Sequence, residues 1–268
     1  MGGLLVVGRA LGPDVHERLT SVQGRVVRSL AVGDGASGTG PLVVILPGLG
    51  LPFYTLRTAR ALLSRGIDCT VLDLPGFGSG RPWPTRPNIH AIGLTAARWL
   101  ESETADRPVV VLGHSTGAQA ALTAALALGA RRRRLSLVMA GPTFTPGQRR
   151  LPRLARTTPL AYRNDGPHEL DPVEVYRGRT GIIAMLQGSL RDSPEERIVH
   201  LPTPVTVTAG VHDAYAPVEW LDRLATSARC APSVRTSLLG GSHNNLFTHP
   251  DEVADLVVLA AGDAAAPG

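Results

Sequence analysis

Residues 109–122 of this 268-residue chain have the sequence VVVLGHSTGAQAAL, which predicts a strand, a sharp turn and a helix. The apolar residues 109–112 are typical of a strand buried on both faces of a sheet, and the alanines that follow the turn favour a helix. Between them, residues 113–117 match the pattern G-x-S-x-G, in which a strained turn lifts the serine above the sheet. Bulky side chains two positions away would clash with that turn, so glycine is expected on both sides. The pattern often arises by chance, but a strand before it and a helix after it indicate that Ser115 is a nucleophile.

A serine hydroxyl becomes a strong nucleophile only when a nearby base accepts its proton. In sites of this kind the chain order is nucleophile, then acid, then histidine. Two later segments offer these groups, Gly-Val-His-Asp at residues 210–213 and Gly-Gly-Ser-His at residues 240–243, each directly after a predicted strand. Because open α/β sheets place their sites at the carboxyl ends of the strands, we expect both segments to approach the serine. We predict that His243 is the base and that Asp213 orients its imidazole.

Other residues compete for the roles of base and acid. His212 is an alternative base only if its turn points it inward, and His114, beside the serine, is expected to pack against the sheet. Asp73 is the alternative acid, but we interpret it as a hydrogen-bond acceptor that stabilises the loop after its strand. The position after the predicted strand at residues 135–140 holds Gly-Pro-Thr and no carboxylate, which favours Asp213.

Acyl transfer also needs two backbone N–H groups that hold the negative oxygen of the intermediate. The N–H of Thr116, directly after the serine, is the first. The loop Leu-Pro-Gly-Leu-Gly at residues 46–50 follows an early strand and offers Leu49 as the second, since its glycines let the backbone approach a substrate closely. A phosphate-binding loop is the rival interpretation, but the third glycine of G-x-G-x-x-G and a following Lys-Ser or Lys-Thr pair are both missing.

Across the chain, short β-branched runs alternate with helical stretches, which predicts an α/β fold with a mostly parallel, doubly wound sheet and helices on both faces. Strands are predicted at residues 4–7, 25–32, 42–46, 69–74, 109–112, 135–140, 205–209 and 234–239. Helices are predicted at residues 54–64, 89–103 with Asn88 as N-cap, 115–128, 218–227 and 250–261, followed by a frayed tail.

The alternation stops between residues 141 and 201, a stretch rich in proline and arginine. A structureless loop of that length is uncommon in a compact domain. We therefore predict a core formed by residues 1–140 and 202–268 and a small, mainly helical cap at residues 141–201, with one helix at residues 181–190.

Composition limits the partners and cofactors. Hydrophobic residues make up 43% and charged residues 18% of the chain, which permits a buried core. The net charge is +5, yet all 27 basic residues are arginine, so we attribute the charge to biased coding composition rather than to nucleic-acid binding. The cluster Arg131 to Arg134 lacks the aromatic neighbours of a nucleic-acid site. The cysteines, Cys69 and Cys230, lie in no ligand-like cluster, so neither a metal nor another cofactor is expected.

The stretch at residues 108–130 has no charged side chain and is long enough to span a membrane. Its histidine, serine, threonine and glutamine residues favour a buried strand and helix instead. The N-terminus shows no signal-peptide pattern. We therefore expect a cytoplasmic protein without a membrane partner, whose partner is a small-molecule substrate.

Together these pieces resemble the α/β-hydrolase superfamily over nearly the whole chain. The resemblance is carried by residues 47–50 (Pro-Gly-Leu-Gly), 73–79 (Asp-Leu-Pro-Gly-Phe-Gly-Ser), the serine turn, 210–213 with Pro217, and 241–243 (Gly-Ser-His). It implies the α/β-hydrolase fold and a Ser-Asp-His triad, but little about the substrate, because this fold supports many chemistries. Many members have His-Gly before the oxyanion residue. Here Pro47 stands at the histidine position, which keeps the backbone donor but is expected to change the local hydrogen bonding.

The resemblance and the site residues predict a hydrolase that cleaves a carboxylic ester, lactone or thioester through an acyl-enzyme. A carbon–carbon bond hydrolase or a biosynthetic cyclase or lyase is the alternative, and a non-catalytic ligand receptor is a third. Cap residues that hint at an apolar substrate, or that simply pack the cap on the core, are Phe144, Tyr162, Tyr176, Ile182, Met185 and Leu186. We predict that Phe144, Tyr176 and Met185 bind substrate. The sequence leaves the oligomeric state open.

Overall fold

A computed structural model describes residues 11–34, 38–79, 82–132, 134–163, 165 and 171–266. The strands are β1 (Val15–Val22), β2 (Arg25–Val32), β3 (Leu42–Leu46), β4 (Asp68–Asp73), β5 (Val109–His114), β6 (Leu135–Ala140), β7 (Val205–Gly210) and β8 (Val234–Leu239). They form one eight-stranded sheet in the order β1-β2-β4-β3-β5-β6-β7-β8. The hairpin of β1 and β2 is antiparallel, β2 runs antiparallel to β4, and all pairs from β4 to β8 are parallel.

The helices are α1 (Leu56–Leu63), α2 (Ile89–Glu103), α3 (Thr116–Leu128), α4 (Leu151–Ala161), α5 (Pro172–Arg191), α6 (Pro194–Arg197), α7 (Val218–Ser227), α8 (Asn245–Thr248) and α9 (Pro250–Ala265). Helix α1 packs against α9, and α2 packs against α3, so that helices cover both faces of the sheet. Helix α2 begins where predicted, because the Asn88 side chain accepts the N–H groups of His90 and Ala91. The predicted α/β fold with a mostly parallel, doubly wound sheet is confirmed.

The inner strands are apolar along their whole length because both of their faces are covered. Strands β3, β5, β6 and β7 are buried at every residue. The edge strand β8 alternates between exposed and half-buried residues. This arrangement explains why continuous apolar runs predicted β3 and β6 with their observed ends.

Strand β1 was not predicted. Its sequence, VHERLTSV, is largely polar, and most of its residues are not buried because it lies at the sheet edge and pairs only with β2. The available signal in the sequence was Gly24 directly before β2. In the structure Gln23 and Gly24 form a two-residue hairpin loop in which both have positive φ, as in a type I′ turn. The strand predicted at residues 4–7 lies outside the described residues.

Smaller corrections concern the ends of elements. A 3₁₀ turn at Phe53–Thr55 precedes α1, and the loop after β4 contains another 3₁₀ turn at Phe77–Ser79. Helix α9 continues to Ala265, beyond the predicted end at residue 261. Its last residues are mostly alanine, which favours helix, so the tail begins later than predicted.

Residues 141–201, here called the β6–β7 insertion, contain α4, α5 and α6. The predicted helix at residues 181–190 is the second half of α5. Helix α4 was not predicted, because its sequence LPRLARTTPLA contains two prolines and buries only Leu154 and Ala161. Helix α5 lies close to the turn at Phe77–Ser79, where Gly178 and Gly181 leave room for the Phe77 ring. The division into a core and a cap stays a prediction.

The stretch at residues 108–130, whose lack of charge raised the question of a membrane span, contains β5 and α3, and most of the residues in these two elements are buried. Within the ranges that the structure describes, no helix combines the length and the apolar character needed to cross a membrane.

Candidate active site

Ser115 lies at the tip of the turn between β5 and α3, with φ 57° and ψ −125°. Its N–H donates to the Ala140 carbonyl at 2.9 Å, which ties the turn to strand β6. The two flanking glycines are required by space: a Cβ on Gly113 would overlap the backbone at the start of α3, and one on Gly117 would overlap the Leu46 carbonyl. The expectation that small residues flank the serine is therefore confirmed in physical terms.

The three residues predicted to carry the chemistry lie in one hydrogen-bonded line. The Ser115 Oγ is 2.9 Å from His243 Nε2, and His243 Nδ1 is 2.9 Å from Asp213 Oδ2. The second oxygen of Asp213 accepts the backbone N–H groups of Tyr215 at 2.9 Å and Ala216 at 3.3 Å. All three side chains are buried. Asp213 and His243 each follow the end of a parallel strand, as the sequence order predicted.

The competing residues have other partners. Asp73 forms an ion pair with Arg28 at 3.1 Å and accepts the Gly78 N–H at 3.3 Å. Burial raises the pKa of Asp73, and the Arg28 charge opposes that rise. His212 is exposed. These contacts agree with the interpretation of Asp73 as a loop-stabilising acceptor.

The two predicted oxyanion donors lie beside the serine. Thr116 is the first residue of α3, so its N–H has no acceptor within the helix. The Leu49 N–H donates to the Thr116 hydroxyl at 2.7 Å, which holds the loop after β3 over the serine turn. The Gly48 N–H donates to the Tyr54 hydroxyl at 2.7 Å. The hydrogen bonding after Pro47 therefore involves Tyr54, a residue that was not predicted to belong to the site.

An aromatic group surrounds the His243 imidazole. The Tyr215 ring meets it edge-on with centroids 4.8 Å apart, and the Tyr162 ring does so at 5.4 Å. Phe144 packs edge-on against Tyr215 at 5.1 Å, with Leu186 partly buried beside them. Tyr215 was missed, although its position two residues after Asp213 was an available signal.

The three residues predicted to bind substrate have different positions. Phe144 is buried in the aromatic group. Met185 is also buried, but it packs in the main hydrophobic cluster. Tyr176 lies at the surface: it is 66% exposed, and the Arg179 guanidinium lies over its ring at 4.4 Å, so its role in binding substrate stays a prediction. It was chosen for its aromatic character alone, because the sequence did not show which face of α5 points outward.

Gly141 is a further missed residue of the site. It has φ +52°, and a Cβ added there would lie 3.1 Å from the Asp213 Oδ2 and 3.2 Å from the His243 Nδ1. The position after β6 therefore does more than lack a carboxylate. Its missing side chain leaves room for the Asp213–His243 pair.

A buried carboxyl group lies close to the loop after β3. Glu174 on α5 is 2% exposed, hydrogen-bonds the Phe53 N–H, and has one carboxyl oxygen without a hydrogen-bond partner in the described part of the chain. Burial raises the pKa of Glu174 to about 9, and the negative charge of Asp73 adds to this rise. At neutral pH this side chain is therefore a neutral acid between α5 and the sheet.

Glu174→Gln is expected to stabilise the protein increasingly as the pH rises. Between about pH 4.5 and pH 9 the unfolded chain ionises Glu174 while the folded chain keeps it protonated. The wild type therefore loses stability across this window, because unfolding releases a proton. The glutamine side chain has nearly the same shape and does not ionise, so the variant does not lose this stability as the pH rises. Thermal unfolding at pH 5, 7 and 9 measures the difference, and Glu219→Gln on an exposed position of α7 is the control. If the difference in melting temperature between Glu174→Gln and the wild type stayed constant or became smaller as the pH rises, Glu174 would not be a neutral acid at neutral pH.

In the portion of the chain that the structure describes, no three His, Cys, Asp or Glu side chains are grouped as a metal site would need. The expectation of a site without metal stays a prediction.

Comparison with known proteins adds the family and the fold. The sequence model of the alpha/beta hydrolase family matches residues 43–256. The chain is 30% identical over 175 residues to NorC, a protein of the spectinabilin polyketide synthase system of Streptomyces orinoci; the match covers 64% of this chain and 8% of that protein. The chain thus spans only a small part of this relative.

Solved structures share the fold at low identity. The enol-lactonase from Burkholderia xenovorans is similar with a TM-score of 0.69 and 17% identity, over 91% of this chain and 100% of that one. The thioesterase domain from the curacin biosynthetic pathway is similar with a TM-score of 0.63 and 17% identity, over 91% and 99% of the two chains.

Proposed function

This chain belongs to the alpha/beta hydrolase family, and on that premise we propose that it is a serine hydrolase that cleaves a carboxylic ester, lactone or thioester. The observation that carries the proposal is the unbroken line from Ser115 Oγ through the His243 imidazole to the Asp213 carboxylate, with 2.9 Å at each step. The family and the fold support an enzyme. The kind of bond and the roles of the residues are the content of the proposal.

In the proposed reaction, His243 Nε2 accepts the Ser115 proton as Oγ attacks the substrate carbonyl carbon. Asp213 holds Nδ1–H, so that Nε2 is free to accept, and stabilises the imidazolium that forms. The imidazolium then gives its proton to the leaving alcohol or thiol. Water, activated by the same imidazole, attacks the acyl-enzyme and releases the acid and free Ser115. No step requires a metal or an organic cofactor.

The oxyanion of each tetrahedral intermediate would be held by the N–H groups of Thr116 and Leu49. The Leu49 N–H donates to the Thr116 hydroxyl in this structure, so it would exchange that acceptor for the oxyanion. Removing one such donor typically costs about 10²–10³ in turnover. This proposal therefore assigns the loop after β3 a large share of the rate.

An apolar acyl group suits the surroundings of His243. Tyr162 and Tyr215 present their rings to His243, and Phe144 and Leu186 belong to the apolar cluster around Tyr215. The 30% identity to a protein of a polyketide synthase system is the reason to test a thioester beside an oxygen ester. The thioester form of the substrate is therefore part of the proposal and needs its own test.

Matched substrates separate these possibilities. We expect acyl p-nitrophenyl esters of increasing chain length to be hydrolysed, with kcat/KM rising as the acyl group becomes more apolar. The same acyl groups on a small thiol show whether thioesters are preferred. Labelling of Ser115 by a fluorophosphonate without hydrolysis of any ester or thioester would contradict the proposed bond. It would favour the carbon–carbon hydrolase alternative instead.

A further inference from the structure

A second line of hydrogen bonds, separate from the Ser115–His243–Asp213 line, runs beneath the site. The Tyr54 hydroxyl accepts the Gly48 N–H at 2.7 Å and lies 2.6 Å from His114 Nδ1. On the other side of the same ring, His114 Nε2 lies 2.8 Å from the carbonyl oxygen of His243. Both side chains are buried, so water does not replace these contacts.

The direction of each proton in this line follows from the acceptors. The His243 carbonyl can only accept, so His114 Nε2 carries the proton and donates it. In a neutral ring Nδ1 is then an acceptor, and the Tyr54 hydroxyl donates to it while accepting the Gly48 N–H. Burial lowers the pKa of His114 to about 3, and the nearby His243 adds to this effect. The ring therefore stays neutral, even while His243 carries the positive charge of the imidazolium.

The line connects two parts of the site that must be correctly placed at the same time. At one end, the bond from the Gly48 N–H to Tyr54 fixes the peptide group between residues 47 and 48. The next peptide group carries the Leu49 N–H, which donates to the Thr116 hydroxyl. At the other end, the His243 backbone is held twice, since its N–H donates to the Ala161 carbonyl at 3.0 Å and its carbonyl accepts from His114.

We propose that Tyr54 and His114 are a positioning pair that couples the oxyanion loop to the backbone of His243. This inference rests on the proposed function, because it assigns the pair a task in the same reaction. Neither side chain hydrogen-bonds to the reacting atoms, and the His114 ring packs against the His243 ring with centroids 5.1 Å apart. Their effect is on the placement of Leu49 N–H and of the His243 ring, and displacements of about 1 Å in such groups cost up to about 10² in rate.

Tyr54→Phe removes the hydroxyl that joins the two halves. It leaves the Gly48 N–H and His114 Nδ1 without their shared partner and keeps the ring in place. We expect kcat for the best p-nitrophenyl ester to fall by about 10- to 100-fold, with KM changed by less than about threefold. If the hydroxyl were merely structural, its loss would lower the melting temperature without lowering kcat.

The matched control is Thr55→Val, in the same turn. The Thr55 hydroxyl is also buried and donates to the Pro52 carbonyl at 2.7 Å, but it lies outside the line. Both variants lose one buried hydroxyl and should lose similar thermal stability, whereas only Tyr54→Phe should lose turnover. A decrease in kcat no larger than that of Thr55→Val would overturn the positioning role.

A second measurement does not depend on activity or on a variant that folds. Imidazole nitrogen-15 shifts of the wild type should show His114 as the Nε2–H tautomer, unchanged down to about pH 5. An Nδ1–H tautomer, or a His114 that protonates between pH 7 and pH 5, would overturn the proton arrangement.

Ser115→Ala keeps the two proposals distinguishable: turnover that survives it defeats the proposed function. An inactive Ser115→Ala together with an unaffected Tyr54→Phe defeats only the positioning pair.

Discussion

Ser115→Ala is expected to lower turnover of the best ester substrate by roughly three to six orders of magnitude while the protein stays folded. The hydroxyl is the proposed attacking group, and neither the imidazole nor the oxyanion donors can replace it. Alanine keeps the Cβ, and the Ser115 N–H to Ala140 bond that ties the turn to β6 involves only backbone. The turn should therefore persist, and what is lost is the covalent step.

The measurement is steady-state hydrolysis combined with labelling by a fluorophosphonate, which should vanish in the variant. Ser136→Ala is a suitable control, since Ser136 is also buried and its hydroxyl donates to the Ala260 carbonyl at 2.8 Å, away from the site. That variant should lose some thermal stability and keep its activity. If Ser115→Ala retained more than about a tenth of wild-type turnover, Ser115 would not be the nucleophile.

Asp213→Asn should lower turnover by about 10⁴ with little effect on stability. The reason lies in how its two oxygens are used. One accepts the N–H groups of Tyr215 and Ala216, so the asparagine oxygen must stay on that side. The new NH₂ group then faces His243 Nδ1 and donates to it. The imidazole proton then lies on Nε2, and a protonated Nε2 cannot accept the proton of Ser115.

Asp73→Asn gives the matched comparison, because it makes the same chemical change at the rival acid. Asp73 contacts Arg28 and the Gly78 N–H, so its change should lower the melting temperature and spare turnover. Breaking a buried ion pair costs about 3–5 kcal/mol when a charge is left uncompensated. Arg28 keeps Glu17 as a second partner, so we expect the lower end of that range. A larger loss of kcat in Asp73→Asn than in Asp213→Asn would transfer the acid role to Asp73.

The inner strands could be predicted because burial on both faces leaves an unmistakable apolar run. Strand β6 and helix α7 have the ends that the pattern predicted. Strand β1 and helix α4 were missed for the opposite reason. Each lies at the surface and buries only two residues. The sequence of β1 is largely polar and that of α4 contains two prolines, so neither shows the pattern of a buried element.

The sequence by itself determined the alternation of strands and helices, the serine turn, and the order of Ser115, Asp213 and His243. These are local properties: a turn needs its glycines, and a buried strand needs its apolar residues. Parallel strands then bring the ends that carry Asp213 and His243 to one edge of the sheet.

Only the tertiary structure decided what lies beside those residues. Tyr54 and His114 are 60 positions apart, and His114 and His243 are 129 apart, so no local pattern links them. In the sequence, Gly141 showed only that no carboxylate follows β6. The structure shows that it also lies against the Asp213–His243 pair. Tyr176 and Tyr162 looked equivalent, yet one lies under an arginine at the surface and the other against His243. Distances between elements depend on how the whole chain packs, and that information is spread over residues too far apart in the sequence to form a motif.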